Sequence, residues 1–432
     1  MRLATSKPGG VGTGPRIGLG TAIAVVCCWG AAGPAAAGEA VAAPAAATLA
    51  DAEADPTAWS DQAPPEAMLP FYDIDWSLGL RGAYTHDNIN GDRYKALVLP
   101  SVTLTHTGDR LSFHGAADAQ LSKAAEDGPV NVDQARLSAG TALQFNPEAS
   151  LVTDGSVSMS KEDPRAPDVG ADVLDTPTTY SGSADATFKQ KLGRFNVSLS
   201  GTGGRDIYGP TTLVGNVAQD NSSQDNTHFG GGLRLGFQLS PVIELFTEGD
   251  VTRTIYDQPV ASLSTKLDGN LYTAMGGIAA NWDDRLLASA SAGVGLQHFD
   301  DPTLGEVAAT LYDASLTYKP DDTLSLTGDL STTIGSPGVN GTGTAKVDYA
   351  ATAGAAYIVN DWLTWRGSAG WHDARYTAST DTDTGYSFGV GADYLVSRHA
   401  KLSADYAFEH SAVTPNPVED THTVTLGLTL QK

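Results

Sequence analysis

Histidine is the side chain most often recruited for acid–base or metal chemistry, and the chain has nine. They are His86, His106, His114, His228, His298, His372, His399, His410 and His422. No H-E-x-x-H zinc motif and no His-x-Ser pattern groups them. His114 and Asp118 stand four apart on one face of an alternating segment, and His228 can project into the same space. A solvated lining residue fits that pattern better than a catalytic base. His86-Asp87-Asn88-Ile89-Asn90-Gly91-Asp92 has the look of a calcium loop. However, its first ligand position is His86 and its twelfth is Leu97, where a bidentate Glu is needed. An Asn-Gly hairpin turn accounts for it instead. The acidic pairs Asp300, Asp301 and Asp381, Asp383 offer places where calcium could bridge, without forming a dedicated cage. Gly230-Gly231-Gly232 and Gly293-Val294-Gly295 precede no helix, so neither cradles a nucleotide. The residues therefore point to no enzyme, no catalytic group, no metal site and no cofactor.

What remains is charge placed on alternate residues. Asp118, Glu244, Glu248, Asp250, Asp313, Asp393 and Asp405 share a strand face with Arg136, Arg234 and Arg366. Asp73, Asp75, Asp154, Asp185, Asp329, Asp348 and Glu409 fall on the same face, as do Arg81, Lys189, Lys319, Lys346 and Lys401. Acids exceed bases. If these residues line a pore, rings of carboxylates favour cations.

Those positions are set by period-2 alternation, the signature of strands. Tyr72, Ile74, Trp76, Leu78 and Leu80 oppose Asp73, Asp75, Ser77 and Arg81. Leu402, Ala404, Tyr406 and Phe408 oppose Lys401, Ser403, Asp405 and Glu409. Eighteen such segments run at 72–85, 94–106, 111–122, 132–145, 150–160, 178–190, 195–203, 227–239, 243–256, 271–282, 286–299, 307–319, 323–334, 346–359, 363–375, 385–396, 400–410 and 421–431. Short turns (Thr107–Arg110, Asn146–Ala149, Lys191–Arg194, Ser240–Val242 and their successors) alternate with longer polar connections. The longest of these are 161–177, 204–226 and 257–270. An even number of strands with this asymmetry is the pattern of a transmembrane, antiparallel, up-and-down β-barrel of about eighteen strands, with short periplasmic turns and longer extracellular loops. A soluble sandwich would carry charge on its exposed face. Here one face is apolar and ends in aromatics such as Trp76, Trp282, Tyr318, Tyr357, Trp371 and Tyr394, as interfacial girdles do. Parity puts Ala290 on the lipid side and Ser291 in the lumen. Arg253 falls on the lipid parity near an extracellular end, where a charge costs little.

The first residues have the form of a secretory signal peptide, 1–37. Arg2, Lys7 and Arg16 precede an apolar run from Ile17 to Gly30, and Ala35-Ala36-Ala37 fits a cleavage site before Gly38. Cleavage there would remove both cysteines, Cys27 and Cys28, and deepen the net charge of −24 by three. Segment 38–68, rich in Ala and Pro, reads as a flexible periplasmic lead-in, and 69–432 as the barrel. The acidic balance excludes a nucleic-acid partner. No run of about 18 apolar residues follows the signal, so helical spans are excluded.

Beyond these patterns, the chain resembles the β-barrel porin family found beside exopolysaccharide and capsule genes in proteobacteria. The resemblance rests on Phe246-Thr247-Glu248-Gly249-Asp250 with Arg253 and Tyr256-Asp257, then on Val294-Gly295-Leu296-Gln297 with Asp300-Asp301-Pro302. Tyr312-Asp313-Ala314-Ser315-Leu316-Thr317-Tyr318 and Leu402-Ser403-Ala404-Asp405-Tyr406 continue it. It implies a Gram-negative outer-membrane location and a pore of no agreed substrate. The partners expected are outer-membrane lipid and lipopolysaccharide, the barrel assembly machinery and small solutes, and an oligomer is left open. The ending Leu430-Gln431-Lys432 departs from the terminal aromatic that many such barrels carry. The function expected is a weakly cation-preferring channel for ions and small polar solutes. Surface-polysaccharide export or anchoring, and a structural barrel displaying loops 161–177 and 204–226, are the alternatives.

Overall fold

The computed structural model describes residues 72–432 apart from 126–128, 163–172, 284, 339–342 and 415–416. The signal peptide and the Ala/Pro-rich segment expected from the sequence lie outside the described residues. Eighteen long strands follow one another: β1 Asp73–Asp87, β2 Gly91–Thr107, β3 Leu111–Ala124, β4 Asn131–Asn146, β5 Ala149–Lys161, β6 Thr178–Leu192, β7 Phe195–Tyr208, β8 Asn226–Gln238 and β9 Ile243–Tyr256. The second half continues as β10 Gly269–Trp282, β11 Leu286–Phe299, β12 Glu306–Tyr318, β13 Leu324–Gly335, β14 Lys346–Asn360, β15 Leu363–Tyr376, β16 Thr382–Ser397, β17 Ala400–Val413 and β18 Glu419–Gln431. Each pairs antiparallel with the next. β18 pairs with β1 from Thr421–Asp87 to Gln431–Ser77, which closes the sheet into a barrel. Closure gives the first and last strands a neighbour on both sides.

Alternation decides which side of the wall is which. Leu137, Val157, Val294 and Leu426 lie mid-strand and are each more than 60% exposed. A water-soluble fold would bury them, so the apolar face is the outer one and meets lipid. Exposed aromatics gather at both ends of that belt: Trp76, Phe145, Phe195, Trp282, Tyr357 and Trp365 by the short turns, and Tyr94, Tyr180, Phe229, Tyr272, Trp371 and Tyr386 at the other rim.

Strands run further than alternation alone suggested at the extracellular end. The loop expected at 86–93 shrinks to Asn88-Ile89-Asn90, with Gly91 at a φ of 73°. Asp87 Oδ1 accepts from the Ile89 and Asn90 amides, which turns the chain within three residues. The long connection before β8 folds on itself. Strands 211–213 and 217–219 pair, 173–175 joins them, and Asn221 Nδ2 donates to the Gly209 carbonyl and to Thr211 Oγ1.

One seam of the wall differs from the rest. β12 and β13 share five rungs, Ala314–Leu330 to Tyr318–Leu326. The adjacent seams carry thirteen and twelve. Beyond Leu330 the end of β13 swings inward. By parity with Leu330, Ile334 belongs on the lipid side. It is instead buried in a cluster with Tyr256, Leu267, Phe299, Val307, Leu311 and Ala345. Val260 and Leu263, from the loop after β9, pack on the same cluster. That loop therefore folds into the mouth of the barrel. From across the mouth, Ser336 Oγ donates to Gln224 Oε1 at 3.1 Å and joins two further loops.

Candidate functional site

Of the charged residues singled out by alternation, the seven acids and three arginines named first lie on the face opposite the apolar belt. Register places Arg234 opposite both Ser198 and Glu248, and Gln238 opposite Glu244. The Arg234 guanidinium reaches Glu244 at 3.2 Å and Glu248 at 3.8 Å, and lies 3.6 Å over the Phe246 ring. Asn196 donates to Glu244 from β7, across the intervening β8. Asp250 accepts from Thr273 Oγ1 at 3.3 Å, and Asp313 stands opposite Ser291. Across the barrel, Arg366 donates to Asp405 at 2.7 Å and to Asp393 at 3.1 Å, with Lys401 3.7 Å from Asp393. Asp118 faces Arg136 on the neighbouring strand. The ten thus fall into separate groups spread around the wall, and nothing converges on one point.

Glycine is what lets these charges lie flat. A Cβ on Gly391 would sit 2.1 Å from Asp405 Oδ1, and one on Gly232 would sit 1.9 Å from Asp250 Oδ1. Each carboxylate occupies the notch that its neighbour's missing side chain leaves. The charge is therefore held along the wall instead of projecting toward the axis. Sequence reasoning weighed Gly232 only within a nucleotide motif and did not take up Gly391. Their signal was available: each shares the inward parity and sits directly across the ladder from an inward carboxylate.

His114 pairs with Asp154 at 3.3 Å, not with Asp118, and the two meet over Gly140. With Arg136 and Asp185 they line a shallow recess that also contains Ser138, Ser156 and Ser183. The nearest serine contact there is between hydroxyls, Ser156 to Ser183 at 3.0 Å, so no nucleophile is paired to the histidine. His228 lies elsewhere, 3.7 Å from Asp206.

A buried polar cluster on one side of the extracellular end was missed, because 86–93, 376–384 and 411–420 read as loops. Buried Arg93 donates to buried Asp87 at 2.8 Å, His372 meets Asp383 at 3.1 Å, and Glu419 is buried beside them. Continuing the parity of Arg81 to Asp87, or of Thr423 to Glu419, would have found them.

The loop acids are engaged within the fold. Arg253 binds Asp300 through two bonds of 2.7 and 2.6 Å, and those bonds hold the Asp300 carboxyl below the ordinary aspartate range. Asp301 caps Thr303, whose hydroxyl and amide bonds likewise lower its pKa. Among the described residues, no three His, Cys, Asp or Glu side chains are grouped to hold a metal ion.

With the closed barrel and its charged lumen described, the comparison with known families is decisive: the sequence profile of Putative beta-barrel porin 2 matches residues 84–432. The chain belongs to that family. A porin-family barrel with a lipid-facing apolar belt is an outer-membrane protein of non-enzymatic type. Among curated proteins none matches the chain in sequence. Among solved structures, the outer membrane protein OpdK from Pseudomonas aeruginosa is similar over 83% of this chain and 99% of its own, at 12% identity and a TM-score of 0.42. A mutant of the ferric enterobactin receptor PfeA from the same bacterium is similar over 83% and 80%, at 9% identity and 0.44. For the copper transporter OprC the shares are 84% and 80%, at 9% identity and 0.44.

Proposed function

We propose that this porin-family barrel is a cation-preferring diffusion channel for ions and small polar solutes. The observation that carries the reading is the acid excess on the inner wall. At the extracellular end buried Asp87 and Asp383 join the carboxylates found by alternation, beside the bases Arg93 and Lys346. Carboxylates fixed along a low-dielectric wall raise the local concentration of cations and repel anions. The notched glycines keep those charges out of the solute path. The loops folded across the mouth restrict what enters, which favours small solutes over a polymer. An acidic lumen also opposes passage of an acidic polysaccharide. Display of the 204–226 loop is disfavoured, because Thr211, Asn221 and Gln224 within it are buried.

The test is single-channel recording of the refolded protein in a planar bilayer, with the reversal potential read under a KCl gradient. Discrete steps whose reversal potential has the sign of cation preference are expected. Silence from protein with strand-rich circular dichroism and heat-modifiable gel migration would overturn the channel reading, and anion preference would overturn the role given to the carboxylates.

A further inference from the structure

The polar lumen has an apolar region, and it lies directly behind the short seam. Above Ala314–Leu330 the edge of β12 faces a strand that has left it, in the half of the wall toward the outer leaflet. Backbone edges are not left open in hydrocarbon, because their polar groups find no water there. This edge is covered from the inside instead. Tyr312 N–H donates to Thr332 Oγ1 at 3.1 Å, and Ile334 packs so closely over Gly295 that a Cβ there would meet its Cδ1 at 2.8 Å.

Both sides of the seam are apolar. Tyr312, Leu316 and Leu330 are exposed to lipid outside it, and Phe299, Val307 and Leu311 are buried against Ile334 inside. Extending the ladder by its own register would set Thr310 opposite Ile334 and return Ile334 to the lipid side. The inner end opens toward carboxylates, since Asp313 follows Leu311 on the same face and Glu248 stands opposite Met275 of the cluster.

We propose that the β12–β13 seam is a lateral port. A single-chain amphiphile with a zwitterionic or cationic head passes through it between the outer leaflet and the lumen. Its alkyl chain displaces Ile334 from Leu311, Phe299 and Val307, and its head comes to rest among the lumen carboxylates. The inference does not depend on ion passage, so the channel reading and the port can fail separately.

The experiment is photocrosslinking of full-length protein in phosphatidylcholine vesicles that contain lysophosphatidylcholine as the probe. A benzophenone amino acid replaces Leu311 on the inner face, and the lipid adduct is read as a mass shift. Val307 is the second position should that substitution prevent folding. Leu316 on the lipid face is the positive control, and Ser315 on the inner face of the zipped stretch is the negative one. Lysolipid adducts are expected at 311 and 316 but not at 315. The adduct at 311 should be lost when Thr310→Cys and Ile334→Cys are oxidised in a Cys27→Ser, Cys28→Ser background, and regained on reduction. Adducts at 316 alone overturn the port. Equal adducts at 311 and 315 overturn it as well, since the probe would then have entered along the lumen.

Discussion

Arg366→Gln tests whether the lumen charges are held as paired groups. Arg366 is 9% exposed, and its partners Asp393 and Asp405 are 16% and 18% exposed in their side chains. Removing one partner from a buried ion pair costs roughly 3–5 kcal/mol, because a charge is left without its counterion. The two carboxylates retain some contact with lumen water, so the lower end applies and a loss of about 3 kcal/mol is expected. Lys401 lies 3.7 Å from Asp393 and partly compensates it, which leaves Asp405 as the stranded charge. Arg366→Gln with Asp405→Asn removes that stranded charge. Its loss should fall to about 1 kcal/mol, on the order of the net worth of a hydrogen bond. The measurement is equilibrium urea unfolding from lipid vesicles, followed by tryptophan fluorescence and by heat-modifiable migration. A single-variant loss below about 1 kcal/mol would place the pair in the class of exposed salt bridges. A double variant as unstable as the single would show that the damage is steric. Either result refutes the reasoning.

Facing can be tested with Ala290→Arg, which puts a charge on the lipid side and should cost roughly 2–4 kcal/mol near the midplane. Ser315→Arg should fold normally and shift the reversal potential toward anions, since it stands opposite Asp329; equal losses in the two variants would undo the facing assignment. Ser291 is a poor choice for the lumen change, because it is 9% exposed and packed beside Phe246. Gly391→Ala pushes a Cβ against Asp405 and should destabilise by about 1–3 kcal/mol; the loss should shrink in an Asp405→Ala background, and strict additivity would count against the notch. The Asp300 carboxyl, held down by Arg253, keeps its charge as pH falls through the ordinary aspartate value near 3.9. What it contributes to folding is present above that value and lost only at lower pH. Carboxyl-carbon NMR should find its midpoint below 3.9, and Arg253→Gln should return it to the ordinary range; an unshifted midpoint in the parent protein would remove the pair's role.

The strands were legible because a half-lipid, half-water wall writes its two environments onto alternate residues, and all eighteen segments coincide with strands. Arg253 was readable as a tolerated charge, but its partner Asp300 was not, because that contact spans 47 residues and reaches across β10 to the end of β11. Asp87 and Glu419 were lost where polar turn residues mask the alternation. The swing of β13 was invisible for another reason: Leu330, Thr332 and Ile334 alternate as a lipid-facing strand should, and only packing against Leu311 and Gly295 decides otherwise. The loop after β9 read as polar, although Val260, Leu263 and Leu267 give it enough apolar surface to fold inward.

The pairing of β18 with β1 constrains how the molecule is made. His86 meets His422 across that seam, and the Lys432 amide that follows β18 bonds to the Trp76 carbonyl at 3.2 Å. β1 therefore gains its second neighbour only when the last strand of the chain is in place. Without β18, the margin of β1 and that of β17 are left unpaired. A truncation upstream of Glu419 would thus leave an unclosed sheet, whose complementary edges invite pairing with another copy, and not a narrower pore.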